Sequence, residues 1–104
     1  MTTYRQGDVL LRKLEQAPSN LKPITTTGRV VLAHGISTGH DHSMVRSAAA
    51  DYTDDEGRTI ILVAAEGGAL LEHQEHTAIT IPQGVYHHVK QREFSPTNIR
   101  NVLD

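Results

Sequence analysis

The chain has 104 residues, a formal net charge of −2 and no cysteine. Its length predicts a single domain over residues 1–104, and the lack of cysteine leaves His, Asp and Glu as the available metal ligands. The net charge does not indicate a basic surface for nucleic acid. No apolar run reaches the ~18–20 residues of a membrane helix, and the N-terminus does not resemble a signal peptide. We therefore expect a cytoplasmic protein that binds neither nucleic acid nor a membrane.

Short apolar, β-branched segments recur along the chain and are separated by turns rich in Gly, Pro and Asp. An acidic turn at 51–58 predicts a hairpin, and the tail at 95–104 either caps one helical turn or returns to a strand. The predicted strands, in chain order, are GDVLLRKLEQ (7–16), GRVVLAHG (28–35), STGHDHSMVRSAAA (37–50), TIILVAA (59–65), ALLEH (69–73), HTAITI (76–81) and GVYHHVKQREF (84–94). This spacing predicts an all-β fold, a small antiparallel β-barrel or sandwich of the jelly-roll kind, with room for one small-molecule ligand. A homodimer would enlarge its buried core.

Two histidines stand two residues apart after a glycine, in the segment GHDH. Residues i and i+2 of a strand share a face, so His40 and His42 would project together, with Asp41 opposite. Two imidazoles placed in this way suit one metal ion at ~2.0–2.1 Å from each nitrogen. The alternative interpretation is a polar strand face exposed to solvent.

Two further segments carry candidate histidine ligands. In EHQEH, His73 and Glu75 share a face if the chain is extended, whereas His76 joins His73 if the segment curls into a turn. In IPQGVYHHV, the valines around His87 place that residue toward the core, either as a ligand or as a core histidine bonded to a backbone carbonyl. Either segment could complete a site begun by the first pair.

The order of these pieces, G-H-x-H and then P-x-G-x-x-H about forty residues later, resembles the two signature segments of the cupin superfamily. The resemblance spans roughly residues 28–94. It implies a metal ion inside a small antiparallel β-barrel, with His40 and His42 as the first ligand pair and His87 as the late ligand. The usual glutamate is missing: Val45 and Arg46 stand in its place.

The chain is also similar to short bacterial and phage proteins that carry G-H-x-H, then H-x-E-H, then Q-R-E and an aromatic residue. That pattern favours His73, Glu75 and His76 as residues of the site and makes His87 a weaker candidate. Beyond the histidines, Gln91 is a candidate hydrogen-bond partner for the ligands, and Arg92 a candidate contact for an anionic ligand.

These residues predict a divalent-metal protein that uses His40, His42 and some of His73, His76 and His87. Imidazoles, with or without a carboxylate, suit Zn, Fe, Mn or Ni, and an open coordination position would support an oxygenase, isomerase or hydrolase acting on a small molecule. A non-catalytic module that binds an anionic or nucleotide-like ligand is the alternative. A third hypothesis is an interaction subunit in which the histidines are incidental.

Overall fold

The structure is a computed structural model that describes residues 2–34 and 41–89. Within these ranges the secondary structure is entirely β, which confirms the predicted fold class, and no helix is long and apolar enough to cross a membrane. The strands are β1 (Thr3–Gln6), β2 (Val9–Leu14), β3 (Lys22–Pro23), β4 (Val30–His34), β5 (Asp41–Met44), β6 (Ala49–Thr53), β7 (Thr59–Val63), β8 (Ala69–Leu71), β9 (Ile79–Ile81) and β10 (Gly84–Val89). The predicted helical turn at 95–104 lies outside the described residues.

The strands form one six-stranded sheet, in the order β1-β2-β10-β7-β6-β3, and the hairpins β4-β5 and β8-β9. Every pairing is antiparallel. Among the described strands, the end strands β1 and β3 do not pair with each other, so the sheet stays open and the expected barrel is not closed. Strand β3 has two residues, too few to continue a ladder around a barrel.

The hydrophobic core lies between the large sheet and the two hairpins. It takes Val9 and Leu11 from β2 and Tyr86 from β10, and Val30 and Met44 from the β4-β5 hairpin. All five side chains are 0% exposed. Fully burying a side chain of this size is worth about 1.5–3 kcal/mol, so this contact holds the hairpins against the sheet.

The alternation along β10 is opposite to the one that we expected for His87. Tyr86 and His88 are buried, at 0% and 3% exposure, and Tyr86 belongs to the core cluster. Since neighbouring residues of a strand point to opposite faces, His87 lies on the other face, where it is half-buried. The prediction that His87 looks toward this core was therefore wrong: the bulky Tyr86 takes the inward position.

The two hairpins are connected next to the histidines. Ser43 of β5 and Glu72, which follows β8, form an isolated antiparallel bridge. Their backbones exchange two hydrogen bonds, of 2.9 Å from the Ser43 N–H and 2.8 Å from the Glu72 N–H. This bridge aligns β5 with the segment that carries His73 and His76.

Candidate metal centre

His42 and His73 are cross-strand neighbours. Because Ser43 and Glu72 are directly opposite each other in an antiparallel bridge, the flanking residues His42 and His73 are opposite as well. They occupy the adjacent position, where the hydrogen bonds are absent and side chains approach most closely. Their ring centroids are 4.3 Å apart, so the backbone register alone brings two imidazoles together.

His76 completes the group because the chain bends after His73. Residues 74–76 form a bend before β9 begins at Ile79. The His76 ring centroid thereby comes within 4.6 Å of His73 and 5.5 Å of His42. The structure thus adopts the curled form of the EHQEH segment, in which His76 joins His73.

The three side chains offer one nitrogen each, and these nitrogens all lie within 4.8 Å of one another. A tetrahedral ion at about 2.0–2.1 Å from each ligand would place them roughly 3.4 Å apart, so binding calls for movements on the order of 1 Å. Exposure is graded: His42 is buried, His73 half-buried and His76 exposed. The side of the group next to His76 therefore faces solvent, and an ion could keep an open position there.

The turn between β1 and β2 forms the floor of the group. Gly7 has a φ of +56°, in the left-handed region. A Cβ at this position would lie 2.9 Å from His76 Nε2 and 3.3 Å from His42 Nε2. The two Nε2 atoms consequently face the same small space, which the absence of a side chain at residue 7 keeps clear.

Gln6, the residue before Gly7, is 5% exposed and contacts the histidine group from the protein interior. Its Oε1 lies 2.8 Å from His42 Nδ1. Its Nε2 donates to the carbonyl oxygens of Leu71, at 2.8 Å, and Thr77, at 2.9 Å. One buried amide therefore contacts both segments that supply the histidines.

The protonation of His42 favours ligation. Burial lowers the pKa of His42 below its ordinary value, and the neighbouring His73 and His76 lower it further. The carboxylates of Asp8 and Asp41 act in the opposite direction but do not outweigh these effects. His42 is therefore neutral at neutral pH, which is the state that binds a metal ion.

His73 has a competing contact. Its Nδ1 accepts a hydrogen bond of 3.0 Å from the backbone N–H of Glu75. In the neutral ring this bond favours the proton on Nε2. Ligation by His73 therefore requires either that the metal replaces the Glu75 N–H at Nδ1 or that the proton leaves Nε2.

A family model described as "Domain of unknown function (DUF8820)" matches residues 5–91. The chain belongs to this family. No curated protein and no solved structure gives a significant match. The DUF8820 match includes the three histidines together with Gln6 and Gly7, so the candidate metal centre lies within the family's domain. Its description states no activity, and the cupin resemblance stays a prediction.

The other residues predicted for the site have different placements. His40, Gln91 and Arg92 lie outside the described residues. His87 is on β10, directly opposite Arg12 and Ile60 in the neighbouring strands, and does not belong to the three-histidine group. Its role as a ligand stays a prediction.

Glu75, a further residue predicted for the site, is exposed and contributes its backbone N–H to His73, as described above. Gln6 and Gly7 were missed because residues 3–6 were not predicted as a strand and Gly7 only marks the beginning of the predicted strand at 7–16. The available signal was the spacing of Tyr4 and Gln6: if residues 3–6 are extended, these two side chains share one face, so a polar residue lies beside an aromatic one.

A cavity of about 300 Å³ lies beside the group and shares His73 with it. Its other lining residues are Arg29, Asp41, Ser43, Glu72 and Gln74. Arg29 donates from Nη2 to Glu72 Oε1, at 2.6 Å, and from Nε to Ser43 Oγ, at 2.9 Å. The cationic group of this cavity is thus already engaged by a carboxylate.

Proposed function

We propose that this protein binds one divalent metal ion through His42, His73 and His76. The observation that carries the proposal is the convergence of three imidazole nitrogens within 4.8 Å above a glycine floor. Three histidines with a fourth, open position form a common ligand set of catalytic zinc sites. The lowered pKa of His42 supports the proposal, because a protonated imidazole cannot bind the ion.

The ligand type favours Zn, Fe or Ni, since imidazole suits these metals and thiolates are missing from the chain, whereas Mn fits less well because it prefers oxygen ligands. An ion held on the exposed side of the group would have room for water or for a substrate oxygen. It would then act as a Lewis acid or activate the bound water, which are the roles needed by a hydrolase or isomerase, whereas an oxygenase would need a redox-active ion such as Fe to activate dioxygen.

A second candidate function is the binding of a small anionic or nucleotide-like ligand in the adjacent cavity. The presence of Arg29 in the cavity wall favours it. Against it stand Glu72, which already pairs with Arg29, and Asp41, which gives the wall a second carboxylate. An anion would have to displace Glu72 and approach Asp41, so the metal hypothesis is the better supported of the two.

The test is metal content and affinity in the purified protein. The wild-type protein should retain one ion per chain after dialysis, and His42→Ala, His73→Ala and His76→Ala should each fall well below one. His87→Ala is the matched control, because it removes a histidine from outside the group. Circular dichroism should show that all four variants keep their β structure.

The outcomes separate the alternatives. Sub-stoichiometric metal in the wild-type protein, for each of Zn²⁺, Fe²⁺, Mn²⁺ and Ni²⁺, would refute metal binding. Loss of metal in folded His87→Ala, with retention in His76→Ala, would refute the ligand set and favour the arrangement implied by the cupin resemblance. A His40→Ala variant would show whether the residue two positions before His42 is a fourth ligand.

A further inference from the structure

We infer that Gln6 is the positioning residue of this centre: its side-chain amide selects the His42 tautomer that leaves Nε2 free for the metal, and the same amide fixes the loop that carries the other two ligands. This inference rests on the proposed function. It concerns a residue that the histidine motifs do not include.

The orientation of the Gln6 amide follows from its partners. One end of the amide lies at hydrogen-bond distance from two carbonyl oxygens, those of Leu71 and Thr77. Carbonyl oxygens only accept, so this end has to be the NH₂ group, which has two hydrogens to donate. The other end is therefore the carbonyl Oε1, which only accepts.

The tautomer of His42 follows in turn. Oε1 of Gln6 lies 2.8 Å from His42 Nδ1, and an acceptor requires a donor opposite it. Nδ1 therefore carries the proton. In a neutral imidazole the lone pair is then on Nε2, the atom that faces the space above Gly7 together with Nε2 of His76. Metal-bound histidines commonly donate their second ring nitrogen to such a partner.

The same amide holds the ligand loop. Leu71 and Thr77 bracket the segment 72–76, which contains His73 and His76. The carbonyl oxygens at the two ends of this segment accept hydrogen bonds from one NH₂ group, at 2.8 Å and 2.9 Å. These bonds fix the loop in its place opposite His42. All three histidines are thereby tied to a single buried side chain.

Burial makes this arrangement selective. Gln6 and His42 are 5% and 6% exposed, so water competes little for their hydrogen bonds. A buried polar group left without a partner is costly, and the opposite tautomer would place two acceptors against each other. The Nδ1–H form of His42 is therefore strongly favoured before any metal arrives.

Two substitutions separate the two roles of Gln6. Gln6→Leu removes the acceptor and both donors. Gln6→Glu, as a carboxylate, keeps an acceptor toward His42 Nδ1–H but has no hydrogen to donate to Leu71 or Thr77. The matched control is Gln83→Leu, because Gln83 also donates its amide to a backbone carbonyl, that of Ala64, away from the histidines.

The measurements are the His42 tautomer, by long-range ¹H–¹⁵N NMR on metal-free protein, and Zn²⁺ affinity, by competition with a chromogenic chelator. We expect the Nδ1–H form in the wild-type protein, in Gln6→Glu and in Gln83→Leu, and a mixture of tautomers in Gln6→Leu. Zn²⁺ affinity should fall about 10–100-fold in Gln6→Leu, as for other partners of metal ligands, and by less in Gln6→Glu. The control should keep wild-type affinity.

Wild-type Zn²⁺ affinity in Gln6→Leu, or the Nε2–H form of His42 in the wild-type protein, would overturn the inference. If Gln6→Leu does not fold, Gln6→Glu decides: a preserved tautomer with reduced affinity supports the two roles, and unchanged affinity refutes the role in the loop. A wild-type protein that binds no metal would refute the proposed function instead, and the metal-free NMR spectrum would still decide whether Gln6 sets the tautomer.

Discussion

The substitution Gly7→Ala tests the geometry of the centre without removing a ligand. Residue 7 has a φ of +56°, which costs an L-residue roughly 1–2 kcal/mol, so the variant should lose about that much stability. The added methyl would also lie 2.9 Å from His76 Nε2. Carbon contacts are optimal at about 3.5–4.0 Å, so His76 has to move by at least ~0.6 Å.

This displacement matters more for metal binding than for folding. His76 is exposed and can swing outward at little cost. Ligation, however, requires the three nitrogens to move together by about 1 Å, and the added methyl would occupy the space that Nε2 of His76 and Nε2 of His42 both face. We expect Zn²⁺ affinity to fall at least ~10-fold, the lower end of what disturbed ligand support costs.

Gly57→Ala is the matched control. Gly57 has a φ of +80°, and an added Cβ would meet nothing within 4 Å. Both variants should therefore lose stability in urea unfolding, and Gly7→Ala should lose more, because its methyl also lies 3.1 Å from Cε1 of the buried His42. Gly7→Ala alone should lose Zn²⁺ affinity in a chelator competition. Equal Zn²⁺ affinities in the two variants would show that the space above residue 7 is not where the metal binds.

Three further predictions concern the framework. Tyr86→Phe removes the 2.6 Å hydrogen bond from the buried hydroxyl to the Pro82 carbonyl, and urea unfolding should show a loss of about 0.5–1.5 kcal/mol. The half-exposed Arg29–Glu72 pair should contribute at most ~1 kcal/mol in a double-mutant cycle, and less at high salt; a larger coupling would contradict this. Burial raises the pKa of Asp54, but hydrogen bonds from Arg58 and Glu56 outweigh it and hold the pKa below its ordinary value. Asp54→Asn should therefore be less stable than the wild-type protein at neutral pH, and this difference should shrink as the wild-type carboxylate is protonated below about pH 4; a constant difference would refute it.

The periodicity of the sequence predicted most of the strands, but not β1 or β3, and it predicted residues 37–50 as one segment where the structure has β5 and the beginning of β6. Alternation in residues 9–14 predicted β2 with Val9 and Leu11 on one face, and both are buried. The acidic turn at 51–58 predicted the β6-β7 hairpin, although its first three residues belong to β6, which ends at Thr53. Alternation was not sufficient to say which face of β10 points inward, since valines flank His87 while Tyr86 stands between them. The bulky Tyr86 takes the inward position, and a two-residue period gives no information about side-chain volume.

The candidate site was predicted in part. The curled form of EHQEH was stated as a condition for His76 to join His73, and the bend at 74–76 fulfils it. That His42 would be opposite His73 could not be predicted, because it depends on the register of two segments about thirty residues apart. A slip of one residue would turn His42 to the other face of its strand. The Ser43–Glu72 bridge prevents such a slip.

Three separate features shape the space between the histidine side chains. They are the Ser43–Glu72 bridge, the Gln6 amide and the absence of a side chain at Gly7. Buried polar groups are costly unless each one is hydrogen-bonded. If Gln6 and His42 only filled space, apolar side chains in their places would pack in the core without this cost. Natural sequences depart from such local rules mainly at functional sites. A buried Gln–His pair that directs one imidazole nitrogen outward, over a glycine, is therefore better explained by a ligand at that nitrogen than by packing.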